Sequence, residues 1–413
     1  MSAAPVPLLV VEDSPVYAEI LQRLLSTLGA DLQFTSKWVD TAEKAIEEIS
    51  RENYTLVLLD YKLPGADGLT VLNHIRSLPS PRQPAVIVLT GMGSEAVAVE
   101  AMKCGAKDYL PKDSLDVPSL MRAITSALER KRLEEQVARY TDELREKNTQ
   151  METDLNLARE IQQAFLPQRY PTFPRDAIAA ESALHFHHRY HPTGAVGGDF
   201  FDVLPISDTE AGVLICDVMG HGVRAALVTA MVRGLAEELL PAAAAEPAKF
   251  LTEINDRLLV TLAQTRSPMF ASAFYVVIDL ARGELRYSNA GHPNPLLVRR
   301  GAGLVESLDC PGSRPGPALG VFEESVYPLC RKALARHDLI VLFTDGIYEV
   351  EGAAGKEYGQ DRLLAAVRQR ANLPVDQLFD ELLADVQQYA GKQSFADDVC
   401  IVGAEVVRVG SAE

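Results

Sequence analysis

Acidic side chains stand at the ends of apolar runs throughout this sequence, and their types and spacing suit phosphoryl chemistry. PLLVVED closes on Glu12 and Asp13, YTLVLLD on Asp60, PAVIVLTG on Thr90, and KDYLPKD carries Lys112. Three carboxylates gathered at neighbouring strand ends repel one another unless a cation sits between them. Hard oxygen donors with room for water favour Mg²⁺. Asp60 is then available as a nucleophile that forms an aspartyl phosphate. Thr90 can hydrogen-bond the new phosphoryl oxygens, and Lys112 can pair with their charge. Asp, Thr and Lys are also ordinary turn and cap residues, but five of the right kind at four strand ends argue against that alternative.

A second acidic set lies further along: Asp199 in AVGGDFFDV, Asp217 in LICDVMGHG, Asp345 in VLFTDGIYE and Asp397 in FADDVCIV. Each adjoins an apolar, strand-like run, so one sheet edge can collect all four. Carboxylates converging without Lys or Arg call for divalent metal, Mg²⁺ or Mn²⁺ rather than zinc. Two such ions bind phosphate oxygens and turn a bridging water into hydroxide at neutral pH. Gly197, Gly198, Gly220, Gly222 and Gly346 let backbone approach the ions. The alternative, four unrelated turn aspartates, is fair for any one of them and poor for the set.

These groups need scaffolds. Residues 7–128 alternate apolar strands with helical stretches such as PVYAEILQRLLSTLG, which Gly29 should stop, and TAEKAIEEISREN. Strict alternation predicts a parallel sheet covered by helices on both faces, with its functional crevice at the carboxyl ends of the strands. The later region, to about residue 408, places strands (AGVLICDV, MFASAFYVVIDL, ELRYSNAGH, HDLIVLFTDG, DDVCIVGAEVV) among helices without that alternation. This predicts packed sheets with helices outside, an α+β layered fold.

Between them, residues 129–166 contain no Gly or Pro and many strong helix formers. A helix of that length spans about 55 Å. Val137, Tyr140 and Leu144, then Met151, Leu155, Ala158, Gln162 and Phe165, follow 3/4 spacing with one phase slip, as in a heptad seam with a stutter. The expectation is a parallel coiled coil joining two protomers, against the alternative of a solvated monomeric spacer. LPQRYPTFPRD then breaks the helix.

The 413 residues carry a formal net charge of −17, which weighs against nucleic acid or an anionic membrane as partner. Cys104, Cys216, Cys310, Cys330 and Cys400 are scattered, odd in number and without CxxC spacing. They predict neither a disulfide framework nor a zinc site. The N-terminus lacks a signal-peptide pattern and no apolar run reaches 18 residues, so a cytoplasmic protein is expected.

The first region resembles response-regulator receiver domains, which implies a flavodoxin-like, five-stranded parallel sheet. Glu12–Asp13 matches the family's acidic pair, Asp60 its phosphoacceptor, Thr90 its hydroxyl switch, Tyr109 its aromatic switch and Lys112 its invariant lysine. In DYKLPGADG the resemblance makes the Lys62 carbonyl the third contact to Mg²⁺. One departure stands out: Asp113 replaces the proline that usually follows the lysine, so a trans bond is expected there.

The later region resembles the SpoIIE/RsbU-type branch of the PPM metal-dependent Ser/Thr protein phosphatases, which implies a layered α-β-β-α sandwich. The matches are Ala158–Pro167, Gly197–Asp202, Asp217–Gly222, Asn289–Pro295, Thr344–Glu349 and Asp397–Cys400. By this resemblance Asp217 bridges two Mg²⁺ or Mn²⁺ ions, Asp199 binds one with the Val218 carbonyl in reach, and Asp345 and Asp397 hold the other. Asp398, Gly198 and Gly346 stand behind these ligands. Cys400 replaces a usual Thr and Ser272 another, and neither change removes a ligand.

The organisation expected is a receiver (1–128), a coiled-coil linker (129–166) and a phosphatase domain (167–413). The resemblance implies a cognate sensor histidine kinase, a homodimer, and a phosphorylated STAS-type anti-sigma-factor antagonist as substrate. The rival is a non-enzymatic adaptor of the RssB type that binds a sigma factor or anti-sigma partner, which retention of all four aspartates disfavours. The run HFHHRYH (His185, His187, His188, His191) is read as strand surface and core rather than a metal tract. His221 and His292 are candidates for shaping the phosphate or peptide site.

Overall fold

The structure, a computed structural model, describes residues 5–28, 33–91, 95–264, 268–353, 355–392 and 394–410. The helix stop expected at Gly29 lies outside them. The chain divides into two compact units, Met1–Gln150 and Met151–Glu413.

In the first unit β1 (Val6–Val11), β2 (Phe34–Val39), β3 (Leu56–Asp60), β4 (Ala85–Thr90) and β5 (Asp108–Pro111) alternate with α1 (Pro15–Thr27), α2 (Ala42–Arg51), α3 (Gly68–Ser77) and α4 (Glu95–Lys103). All strand pairs are parallel, in the order β2-β1-β3-β4-β5. The strands bury both faces, as a parallel sheet must. Leu8, Val10, Leu56, Leu58, Ile87 and Leu89 pack on α1 and the start of α5. Their neighbours Leu9, Val11, Val57, Leu59, Val86 and Val88 pack on the helices of the other face. Ser14, Thr41 and Asp67 cap α1, α2 and α3 by accepting a backbone N–H from Tyr17, Lys44 and Thr70. These caps fix the strand-to-helix turns that carry the charged residues.

Helix α5 runs unbroken from Val117 to Phe165. Residues 132–154 are all exposed, including Leu133, Val137, Tyr140, Leu144 and Met151. The seam read from the sequence continues through Gln162 and Phe165, and here the structure differs. Gln162 is buried, and Phe165 packs on the core of the second unit beneath the Arg233 guanidinium. These two positions are spent within the chain, so they cannot face a partner helix.

The second unit stacks two antiparallel sheets. One has the order β13 (Cys330–Ala333), β10 (Glu284–Ala290), β9 (Ala271–Asp279), β8 (Glu210–Val218), β7 (Asp199–Pro205). The other has the order β12 (Leu304–Ser307), β11 (Leu296–Arg299), β14 (Asp338–Phe343), β15 (Val399–Val406), β6 (Leu184–His191). Helices α6 (Val223–Leu239) and α7 (Pro247–Leu262) share the main core with the first sheet, and α8 (Gly359–Arg370) and α9 (Val375–Ala390) cover the second. The period-2 rule is visible in β14 and β15. Ile340, Leu342, Cys400, Val402 and Ala404 join the inter-sheet core, while Leu339, Val341, Phe343, Val399 and Ile401 meet α8 and α9. This is the layered α-β-β-α arrangement.

One expectation is corrected. Cys310 and Cys330 form a disulfide with Cα atoms 5.6 Å apart, although the spacing suggested no pairing. The loop before β13 folds back so that residues 20 apart in sequence meet, a tertiary event that spacing does not encode.

Glycine decides one close contact. A Cβ on Gly403 in β15 would lie 2.8 Å from the Phe379 ring of α9. Gly403→Val is expected to destabilise the second unit by about 1–3 kcal/mol through overpacking, read as a lower urea midpoint. An unchanged midpoint would show that α9 can shift freely on the sheet.

Candidate functional site

Two acidic centres form, one in each unit. In the first, side-chain oxygens of Glu12, Asp13 and Asp60 all lie within 4.8 Å of one another. Glu12 follows β1 and Asp60 ends β3, adjacent strands in the sheet. Glu12 is fully buried, Asp60 nearly so, and Asp13 is exposed. Lys112, just after β5, donates Nζ to both Glu12 oxygens (2.9 and 2.7 Å) and to Asp60 Oδ2 (2.8 Å). Burial pushes the Glu12 carboxyl up, opposed by its Lys112 hydrogen bond. Burial works against the Lys112 charge, but the bonds to Asp60 and Glu12 outweigh it and raise its pKa. Lys112 thus already supplies one positive charge among the three acids, which a divalent ion would supplement.

Other predicted residues fall around this centre. The Lys62 N–H donates to Asp60 Oδ1 (3.2 Å), placing the Lys62 peptide beside the carboxylate. Thr90 is buried at the end of β4, and Tyr109 on β5 is 42% exposed. Tyr17, which sequence reasoning missed, donates its hydroxyl to the Lys112 carbonyl (3.0 Å) and lies under its ammonium. Among the described residues the cis peptide precedes Pro174, so the Lys112–Asp113 bond is trans.

In the second centre β7 and β8 place Asp199 directly opposite Asp217. Asp345 opens a short turn after β14, and Asp397 precedes β15, which pairs with β14. Among the described residues, no three of these acids bring ligand oxygens within 4.8 Å of one another, as Glu12, Asp13 and Asp60 do. The sheets are tied at this point. Thr344 Oγ1 donates to Asp199 Oδ2 (2.6 Å) and accepts the Cys400 N–H (2.9 Å). Asp398 accepts from Thr193 N–H (2.7 Å) and hydroxyl (2.9 Å) with one oxygen and from Gly198 N–H (2.7 Å) with the other. Gly346 packs so closely that a Cβ there would collide with the Asp398 carbonyl.

The electrostatics are those of unneutralised acids. Burial, then the charges of Asp345, Asp397, Asp398 and Glu349, push the Asp217 carboxyl up to about 7. Burial and Asp217 hold Asp199 well above the usual carboxylate range, with the Thr344 hydrogen bond opposing. Burial and Asp397 raise Asp345. The charged groups acting on all three are other carboxylates, so the donor set fits divalent cations.

Both family comparisons agree with this geometry. Residues 8–125 match the response regulator receiver domain family, and residues 207–407 match the family of Stage II sporulation protein E (SpoIIE). The chain joins a receiver domain to a SpoIIE phosphatase domain. It is 26% identical over 255 residues to phosphoserine phosphatase RsbP of Bacillus subtilis, covering 61% of this chain and 58% of that protein. Protein IcfG of Synechocystis is 26% identical over 234 residues, covering 51% of this chain and 35% of IcfG. The chain thus spans well under two thirds of these relatives. The solved SiaA-PP2C domain of Pseudomonas aeruginosa superposes with a TM-score of 0.53 at 25% identity, covering 63% of this chain and 98% of that one. The SpoIIE domain accordingly has a PP2C-like fold.

The histidines behave as strand residues. In β6, His188 packs on Phe201 and His187 pairs with Asp376. In the SpoIIE domain His221 is exposed. His292 is buried and neutral, pushed down to about 3 by burial, with Nδ1 at 2.8 Å from Ser272 Oγ. Ser272 sits opposite Asp217 in the ladder. Sequence reasoning did not connect Thr344 to Asp199, although Thr344 stands in the quoted TDG segment.

A carboxyl raised from 3.8 to about 7 in the folded state binds more protons folded than unfolded, so stability falls as pH rises through that window. The metal-free SpoIIE domain is expected to melt lower at pH 8 than at pH 5, and Asp217→Asn to flatten the dependence. Each kcal/mol of repulsion removed should raise Tm by about 2–4 °C. Calorimetry in chelator checks both, and a pH-independent transition contradicts the repulsion.

Proposed function

We propose that this protein is a two-component response regulator whose receiver controls a metal-dependent protein serine/threonine phosphatase. The supporting observation is that Asp199 and Asp217 face each other on paired strands beside Asp345 and Asp397, and that the charged groups acting on Asp199, Asp217 and Asp345 are other carboxylates. Divalent ions bound there supply charge for the phosphate oxygens and an activated water. Asp217 would serve both ions. Asp199 with the Val218 carbonyl takes one side, and Asp345 with Asp397 the other. Thr344 orients Asp199, Asp398 holds the Gly198 loop, and Gly346 leaves room for the Asp398 backbone.

In the receiver, Asp60 accepts the phosphoryl group from a sensor histidine kinase with Mg²⁺ held by Glu12, Asp13, Asp60 and the Lys62 carbonyl. Thr90 and Lys112 engage the phosphoryl oxygens, and Tyr109 reports the change. The domain limits proposed are 1–128, 129–166 and 167–413. The substrate proposed is a phosphorylated STAS-type anti-sigma-factor antagonist, in line with the phosphoserine phosphatase activity in the name of RsbP. The exposed apolar positions of α5 favour a homodimer, and phosphorylation of Asp60 would act by changing how the two α5 helices pair.

Phosphate release from a Ser-phosphorylated STAS protein with Mn²⁺ tests the enzyme. Asp217→Ala should lower the rate at least about 10²-fold, since the charge stabilisation lost is worth several kcal/mol. Beryllofluoride on the receiver should change the wild-type rate. Turnover absent in both receiver states would favour the adaptor reading, to be followed by sigma-factor and anti-sigma binding assays. For the dimer, Val137→Glu combined with Leu144→Glu should shift sedimentation to monomer, and an unchanged dimer removes α5 as its seam.

A further inference from the structure

The segment between β12 and β13 contains a strap with no regular structure of its own. Residues 311–329 form no helix or strand, and they carry Pro311, Pro315, Pro317 and Pro328. Contacts to the first sheet hold the strap instead. The Gly316 N–H donates to the Asn289 carbonyl (2.9 Å), and Leu319 exchanges both backbone bonds with Ala271 (2.8 and 3.1 Å). Asn255 Oδ1 accepts the Gly320 N–H (2.9 Å). Ala271 opens β9 opposite Val218, and the next residue, Ser272, stands opposite Asp217. The strap therefore steadies the strand end that lies against the acidic centre.

Cys310 and Cys330 close the two ends of the strap. Other bonds keep these residues together whether or not sulfur is joined to sulfur. Cys330 lies opposite Tyr287 in the β10–β13 ladder. The Tyr287 hydroxyl donates to the Asp309 carbonyl (2.6 Å), one residue before Cys310. Ser288 Oγ likewise donates to the Pro328 carbonyl (2.9 Å). Thiols released here stay within reach of each other, so the bond can open and close again. While closed, it removes freedom from the open chain and so stabilises the strap.

The pair is also reachable. Both cysteines line a cavity of about 220 Å³, with Asp309 and Arg314 adding one charge of each sign to its wall. Cys310 is half-buried and Cys330 buried. A crosslink sealed inside a core has no such opening. By contrast, Cys216 and Cys400 are fully enclosed, and burial pushes both thiols up, which leaves them inert.

We propose that Cys310 and Cys330 form a reversible exchange site for a low-molecular-weight thiol of the glutathione class, whose state sets how firmly the strap holds the start of β9. A thiolate attacks Sγ of Cys310, the less buried of the two residues, and forms a mixed disulfide. Cys330 leaves as a thiolate and takes up a proton. A second thiolate attacks the small molecule's own sulfur in the mixed disulfide, and Cys310 leaves and is protonated in turn. Two small thiols are thereby oxidised to one disulfide, the protein bond is reduced to two thiols, and the protons lost by the former end on the latter. Oxidised glutathione drives the same steps in reverse.

The test equilibrates the full chain in glutathione buffers from fully oxidised to fully reduced, blocks free thiols with iodoacetamide and maps them by mass spectrometry. Cys310 and Cys330 should pass together from protected to alkylated as the reduced fraction rises, with Cys216 and Cys400 protected throughout. Cys330→Ser should accumulate a mixed disulfide between Cys310 and glutathione. Hydrogen exchange at the Leu319 and Gly320 amides should speed up about 10-fold or more on reduction, and it should be fast in Cys310→Ser in either buffer. Cysteines that stay bonded in reduced glutathione while the chain remains folded mark a permanent crosslink and overturn the proposal. A pair that is alkylated, or carries two glutathiones, in the fully oxidised buffer overturns it too. So does exchange at Leu319 that is equal in the two states of the wild type, a comparison that decides alone if Cys310→Ser does not fold.

Discussion

Repulsion among carboxylates, with Asp199 buried, Asp217 and Asp345 half-buried and Asp397 exposed, is the constraint on which the C-terminal unit is built. Like charges a few ångströms apart in a medium less polar than water cost far more than they do in solution. The fold nevertheless brings Asp199 and Asp217 from one sheet towards Asp345 and Asp397 from the other. It holds them by crosslinking the sheets where they meet. Thr344 reaches across to Asp199, and Asp398 reaches across to Gly198 and Thr193. These bonds resist the separation that the charges would otherwise drive, and a bound cation converts the same repulsion into affinity.

The two acidic centres answer one electrostatic problem in different ways. In the receiver, Lys112 bridges Glu12 and Asp60, so one positive charge offsets part of the three carboxylates before any ion arrives. Among the described residues of the SpoIIE domain no comparable cation is bonded to Asp199, Asp217 or Asp345, whose carboxyls sit high in pKa.

Much of this was legible in the sequence because the chemistry sits in contiguous motifs. Asp60, Lys112, Asp217 and Asp345 each adjoin a long apolar run, and such runs announce buried strands. The strict βα alternation likewise gave the receiver sheet. Less legible were the four-residue strands β11, β12 and β13, too short to show a period, and β7, hidden in GGDFFDV. Helical spacing put Gln162 in the same seam as Val137, because periodicity does not reveal where a helix leaves solvent and meets a domain. The Cys310–Cys330 bond and the Thr344–Asp199 bond join residues that only the tertiary fold makes neighbours.

The pairing of β6 with β15 has a temporal side. Leu184 lies opposite Val406 and His191 opposite Val399, so the opening and closing strands of this sandwich run side by side. Asp397 and Asp398 sit at the mouth of the closing strand. During synthesis Asp199, Asp217 and Asp345 all emerge while the last donor and the tether for the Gly198 loop are still missing. Such long-range pairing is slow and comes late. The acidic cluster is therefore assembled only when this last pairing seals the sandwich.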